Sequence, residues 1–142
     1  MAEAALRFRN DDPVEEPAVT LDAFLEQAGA SAVRIEAGDD PRRLIPQLGR
    51  VKLVEVGFPR FRDGRGFSTA RVLREAGYDG EIRAEGDILV DLIFFMRRCG
   101  FDSFAPQAPL NRADVDAALS RYEYVYQHAA DGAVPIWKLR HG

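Results

Sequence analysis

The fold of this chain is decided by residues 51–104, VKLVEVGFPRFRDGRGFSTARVLREAGYDGEIRAEGDILVDLIFFMRRCGFDSF. Short runs of alternating or β-branched residues are separated by longer runs in which apolar residues recur at helical spacing. The pattern predicts strands at 51–56, 81–84 and 101–104, and helices at 67–76 and 88–98, the latter largely buried. Strands that alternate with helices favour right-handed βαβ crossovers and a parallel sheet.

The flanking sequence continues this alternation in both directions. Upstream, Thr20 can cap a helix at 21–29, and strand Ala32–Ile35 follows it. Downstream, Asn111 or Asp114 can start a C-terminal helix. The expected fold class is therefore α/β, with about four parallel strands joined by βαβ crossovers in an open sheet or a partial-barrel curve.

Length and charge indicate one domain with distinct ends. A chain of 142 residues is long enough to bury one core. Residues 1–18 lack periodicity and are acidic, which predicts a flexible N-terminal arm. Residues 19–127 are expected to form a single α/β domain, and residues 128–142 a C-terminal tail.

Composition argues against several classes of protein. No apolar stretch approaches the roughly 18 residues of a membrane span, and the N-terminal residues lack the order of a secretion signal. A single cysteine and two histidines near the C-terminus support neither a disulfide framework nor a metal centre. We expect a cytoplasmic protein with no metal, no evident cofactor and no membrane partner.

The basic residues are concentrated in the middle of the chain. Residues 41–100 carry twelve basic residues against eight acidic ones, whereas residues 1–40 carry three against ten. The basic residues are interleaved with acids, so a small anion is a better expected partner than a nucleic acid.

The predicted topology gathers several polar segments at one edge of the sheet. Loops that leave the carboxyl ends of parallel strands lie on the same edge, where α/β proteins keep their binding sites. That edge is expected to carry Glu36, the 58–66 loop, residues 85–87 and residues 104–107.

The loop at this edge has the composition of an anion site. Glycines let the backbone approach a ligand, the next helix presents unpaired N–H groups, and arginines add charge-assisted hydrogen bonds. The alternative is a plain turn, in which Asp63 and Gly64 bend the chain and Ser68 caps the helix. The candidate anion-binding residues are Arg60, Arg62, Arg65, Gly64, Gly66 and Ser68.

Asp63 and Asp87 are the candidate catalytic residues, on weaker grounds. Asp87 and Asp91 are four residues apart and could form a carboxylate pair for acid–base chemistry. The plainer interpretation is that Asp87 caps a helix and Asp91 pairs with an arginine. Cys99 is expected to be buried and inert.

Three sequence blocks carry a family resemblance: DGRGFSTARVLRE (63–75), GEIRAEGD (80–87) and FFMRRCGFD (94–102). They resemble a bacterial family of unknown function whose members are described as oxidoreductases involved in sulfite reduction. The similarity runs from Ala32 to Gln127. The resemblance implies a place in assimilatory sulfate and sulfite reduction, alongside sulfite reductase.

Three functions follow as expectations. The first is an accessory protein of sulfite reduction that binds a partner enzyme, sulfite reductase, and a small oxyanion. The alternative is an oxidoreductase that uses a borrowed cofactor at the 58–66 loop and Asp87. A non-catalytic structural domain is the weaker alternative. The first is favoured because the sequence contains no nucleotide fingerprint or cysteine pair to carry redox chemistry.

Overall fold

The computed structural model describes residues 6–27, 29–59, 65–111, 113–118 and 120–121, and the backbone of residues 138–139. Its strands are β1 (Leu6–Arg7), β2 (Val19–Thr20), β3 (Ala32–Ile35), β4 (Leu53–Phe58), β5 (Glu81–Gly86), β6 (Ser103–Pro106) and β7 (Lys138–Leu139). Its α-helices are α1 (Leu21–Glu26), α2 (Arg65–Glu75) and α3 (Ile93–Cys99). Two 3₁₀ segments span Pro41–Arg50 and Val90–Leu92, and residues 113–118 are helical.

The described strands form one open sheet in the order β2-β3-β4-β5-β6-β1-β7. Strands β2 to β6 are parallel and follow each other in chain order, as the predicted βαβ pattern requires. Strand β1 is antiparallel to both β6 and β7. The predicted α/β fold with an open, mostly parallel sheet is confirmed, with five parallel strands rather than about four.

Strand β1 was not anticipated from the sequence. It lies within residues 1–18, where the acidic composition predicts a flexible arm, yet Leu6 pairs with Phe104 of β6. The backbone N–H of Phe8 donates to the Asp102 carbonyl at 2.7 Å. The Phe8 ring packs edge-on against Phe94 and Phe104. Apolar burial and backbone pairing together hold this segment against the domain.

The predicted helix 88–98 is shorter than its apolar pattern suggests. Val90–Leu92 form a 3₁₀ turn whose N-cap residue is Leu89 and not Asp87, and Leu89 makes no side-chain capping bond. The expectation of a largely buried helix is also wrong at two positions. Leu89 is 42% exposed and Phe95 is 51% exposed.

The two faces of the sheet differ sharply in chemistry. On one face, alternate strand residues, such as Val56 of β4, pack with buried helix residues, such as Leu73 of α2. Together they form a single hydrophobic cluster. Because side chains alternate along a strand, the intervening residues point to the other face. We call the polar ones among these intervening residues the charged face: Arg7, Arg34, Glu55, Glu81, Arg83, Glu85 and Ser103.

The charged face is largely buried, and its charges are paired. Glu81 accepts a hydrogen bond from Arg7 Nη2 at 2.9 Å and another from the Ser103 hydroxyl at 2.6 Å. Arg83 Nη2 donates to the same carboxylate at 3.1 Å. These bonds satisfy groups whose desolvation would otherwise oppose folding.

A second ionic cluster holds the amino end of β6. The Asp102 carboxylate contacts Arg74 at 2.5 Å, Arg9 at 3.2 Å and Arg97 at 3.3 Å. It also accepts the backbone N–H of Ile82 at 3.2 Å. One carboxylate thus ties β5 and β6 to α2, α3 and the segment that follows β1.

We predict that Asp102→Asn lowers the free energy of unfolding by about 2 kcal/mol, because three arginines lose their shared anion. Urea unfolding followed by circular dichroism measures the change. The control is Asp116→Asn, an exposed helical position, which should stay within about 0.5 kcal/mol of wild type. Equal stability of the two variants would contradict the role of Asp102.

Candidate functional site

The structure describes only part of the predicted anion loop. Arg60, Arg62, Asp63 and Gly64 lie outside the described residues. Arg65 is the first residue of α2, Gly66 is buried, and Ser68 is exposed within the helix. Because α2 begins at Arg65, Ser68 lies in its first turn and does not cap it.

Gly66 brings the start of α2 directly against the end of β4. A Cβ atom at this glycine would lie 2.3 Å from a ring carbon of Phe58, far inside any allowed contact. The next residue, Phe67, packs against the same ring at a centroid distance of 5.5 Å. Gly66 therefore allows close packing of the helix on the strand.

Asp87 lies at the same edge of the sheet, beside Phe58. Its backbone N–H donates to the Phe58 carbonyl at 2.8 Å. The preceding Gly86 has φ +116°, and a Cβ there would lie 2.4 Å from the Phe58 carbonyl oxygen. The chain thus turns at Gly86 in a conformation that only glycine readily adopts, and this turn places Asp87 at the rim of the sheet.

A cleft of about 480 Å³ opens at the carboxyl ends of β3 to β6. Its volume lies in the range of small-molecule sites, about 300–1,000 Å³. The sequence predicts this edge, including Glu36, Glu85 and Gln107, as the place for a site. The lining residues are Arg34, Glu36, Phe58, Pro59, Glu85, Gly86, Ala105, Pro106 and Gln107.

Arg34 joins two carboxylates inside the cleft. Its Nε donates to Glu36, and its Nη1 donates to Glu85 Oε1 at 2.6 Å. The same Nη1 lies 3.5 Å from Glu55 Oε1. Burial opposes the charge on Arg34, but the bonds to Glu36 and Glu85 outweigh it and raise the pKa of the guanidinium. Arg34 is therefore a fixed cation that holds the cleft's acids in place.

We call the bridged side chains of Arg34, Glu36 and Glu85 the clamp. Gly57 forms the floor beneath the clamp. It pairs with Glu85 across the β4–β5 ladder. A Cβ on Gly57 would lie 2.7 Å from Glu36 Oε2 and 2.9 Å from Arg34 Nη2. Because Gly57 has no side chain, the Arg34 and Glu36 side chains can lie directly over its backbone.

Glu55 lies behind the clamp, on the charged face. The residue is only 3% exposed, and its Oε2 has no hydrogen-bond partner among the described residues, with Arg83 Nη1 at 3.6 Å. Burial raises the pKa of Glu55, and the neighbouring charge of Glu85 raises it further, against the opposing effect of Arg83 and Arg34. A carboxyl group whose pKa is raised in this way is a candidate for acid–base chemistry.

Glu81, two residues before Arg83 on the same face, has the opposite electrostatic setting. Burial opposes its ionisation, but hydrogen bonds from Ser103 and Arg7 outweigh burial and lower the pKa of Glu81. The difference between Glu55 and Glu81 follows from their donors. Glu81 accepts several short hydrogen bonds, whereas Glu55 lies among longer contacts.

Sequence reasoning missed Arg34 and Glu55 as site residues. The signal was present, because β1, β3, β4 and β5 each place a charged residue between two apolar ones, as in Val33-Arg34-Ile35 and Val54-Glu55-Val56. Such alternation ordinarily indicates a solvent-exposed face. The sequence alone therefore did not show that these charges are buried and paired.

Cys99 is buried, as predicted, and burial raises the pKa of its thiol. A raised pKa disfavours the reactive thiolate. Among the described residues, no group of three or more histidine, cysteine, aspartate or glutamate side chains is arranged to hold a metal ion.

Comparison with known protein families places the chain. A family model described as "Bacterial protein of unknown function (DUF934)" matches residues 32–137. The chain belongs to this family. The match includes the three blocks that carry the predicted resemblance, so membership of a bacterial family of unknown function is confirmed. The association with sulfite reduction stays a prediction.

No curated protein and no solved structure matches the chain at a significant level. Within the described part of the chain, every helix is too short or too polar to cross a membrane.

We predict that Glu55→Gln and Glu81→Gln change stability with opposite pH dependence. The folded pKa of Glu55 is above its ordinary 4.5, so wild type should lose stability relative to Glu55→Gln as pH rises from 4.5 through the folded pKa. The folded pKa of Glu81 is below 4.5. Above pH 4.5, wild type should therefore be more stable than Glu81→Gln. This advantage should be lost as the pH falls through the folded pKa of Glu81.

Urea unfolding of both variants and wild type, from about pH 3 to about pH 8, tests the pair. Each variant is the control for the other, since both replace a buried glutamate on the same face of the sheet. If the stability difference between wild type and variant changed with pH in the same direction for both variants, the assigned directions of the two pKa shifts would be contradicted.

Proposed function

We propose that this protein is an accessory component of assimilatory sulfate and sulfite reduction, which binds a partner enzyme, sulfite reductase, and a small oxyanion. The pathway is suggested by the resemblance of the three sequence blocks. The structural observation that carries the binding role is an exposed aromatic side chain, Phe95, whose ring packs against Phe67.

Phe95 has the properties of an interface anchor. It is half exposed on α3, and its ring packs edge-on against Phe67 at a centroid distance of 5.6 Å. Phe67 in turn packs against the buried Phe58. Aromatic side chains held by such contacts lose little entropy on binding and are enriched at the centres of interfaces. Leu89, also exposed, adds apolar area on the segment that leads to α3.

The start of α2 supplies the features that suit an oxyanion. The first N–H groups of a helix have no intrahelical acceptor, and the helix dipole favours negative charge there. Arg65 begins this eleven-residue helix, and the exposed Ser68 lies in its first turn. Arg60 and Arg62 precede it in the chain. This combination favours sulfite, sulfate or phosphate.

The alternative, an oxidoreductase that acts directly with a borrowed cofactor, is favoured by one observation. Glu55 and Glu85 form a carboxyl pair at the cleft, and the pKa of Glu55 is raised by burial and by Glu85. Reduction of sulfite to sulfide consumes protons, and such a pair can deliver them.

We predict that a strain lacking this protein grows on sulfide but poorly on sulfate as sole sulfur source. Wild-type protein should restore growth on sulfate, and Phe95→Ser should not, because it removes the apolar anchor. The control is Ile45→Ser, which alters another exposed apolar side chain, on the 3₁₀ segment Pro41–Arg50.

Capture of sulfite reductase by tagged wild type, but not by Phe95→Ser, should accompany these growth results. Equal growth of the deletion strain on both sulfur sources would overturn the pathway. Full function of Phe95→Ser would overturn the anchor.

We predict that sulfite raises the Tm of the wild-type protein and that Arg65→Ala reduces this ligand-dependent rise. Removal of a charge-assisted donor should weaken binding about tenfold. Thermal unfolding over a sulfite titration measures the effect. The matched control is Arg71→Ala, because Arg71 is exposed on the same helix and lies beyond its first turn. Identical losses in the two variants would indicate general electrostatics and not a site.

A further inference from the structure

We infer that the cleft at the carboxyl ends of β3 to β6 binds a cationic nitrogen group, either a guanidinium or an alkylammonium. The inference does not depend on the proposed pathway, and its site is distinct from the start of α2. It rests on the charge balance, the geometry and the apolar walls of the cleft.

The charge balance of the cleft favours a cation. Glu36 and Glu85 line it, against the single guanidinium of Arg34. Arg83 contributes from the charged face, but it also pairs with Glu81. An anion that entered here would meet Glu36 and Glu85 at close range, without a described cation beyond Arg34 lining the walls. A cation would reduce the repulsion among the acids.

Arg34 shows that a planar cation fits between these acids. Its guanidinium bridges Glu36 and Glu85 through Nε and Nη1. Glu36 Oε2 lies over Gly57, at the floor of the cleft.

The remaining walls suit the alkyl part of such a ligand. Pro59 and Pro106 contribute apolar groups to the same lining as the two carboxylates. Gln107 at the rim supplies an amide that can accept or donate a hydrogen bond. A cleft with apolar walls and a few convergent polar groups is the usual form of a small-molecule site.

A titration followed by amide NMR tests this inference. Butylguanidinium and butylammonium are the probes, and 1-butanol is the neutral analogue of the same chain length. We expect both cations, and not butanol, to shift the amide signals of Gly57, Glu85 and Gly86. Glu85→Gln should weaken the cations at least about tenfold, since it removes a charge-assisted acceptor. Gly57→Val should abolish binding by filling the floor.

The matched control is Glu75→Gln, an exposed acid on α2 with the same change in charge. It should bind the cations as wild type does. The blocked peptide acetyl-Gly-Arg-Gly-amide distinguishes the source of the cation. Binding of the peptide assigns the cleft to an arginine side chain of a partner, whereas binding of butylguanidinium alone assigns it to a free small molecule.

Equal binding of butanol and the cations would overturn the inference. Unchanged cation affinity in correctly folded Glu85→Gln would also overturn it. Because the NMR spectrum reports folding directly, a misfolded variant is recognised, and the Gly57→Val variant then provides the second test.

Discussion

The pairing of buried charges across the strands constrains the whole molecule. The register sets Arg34 beside Glu55, Glu55 beside Arg83, and Arg83 beside Ser103, which pairs with Arg7 on its other side. A slip of one residue would turn these charges toward the hydrophobic cluster. The cost of burying unpaired charge therefore specifies the register of β1 and β3 to β6 more sharply than apolar packing alone.

The same pairing explains why the cleft is acidic. Two residues beyond the Glu55–Arg83 pair, toward the carboxyl ends of the strands, Gly57 pairs with Glu85. Glu36 lies just beyond β3. No described basic residue lies at this position along the strands. The side chain of Arg34, two residues before Glu36, extends to this position and bridges Glu36 and Glu85. Glu55 is then left with longer contacts, and its pKa rises with burial and the charge of Glu85. The cleft thus carries two carboxylates, Glu36 and Glu85, against the one guanidinium of Arg34.

The sequence was sufficient for the parallel core and for the edge that carries the cleft, because strand–helix alternation has a strong periodic signal. It was insufficient for β1, a two-residue strand within an acidic segment. It also could not show that Glu55 is buried, since alternation alone does not tell a solvated face from a covered one. Phe95 was misjudged because an apolar run predicts burial, whereas the 3₁₀ turn before α3 leaves this residue outside.

Phe58 lies between the two proposed sites. One side of its ring meets Gly66 and Phe67 at the start of α2, where we propose that an oxyanion binds. The residue also lines the cleft, where carboxylates dominate. A change at Phe58 would disturb both environments and the core together, so it could not assign a function to either. Arg65 and Glu85 lie on separate elements, and only substitutions at such positions can divide the two roles.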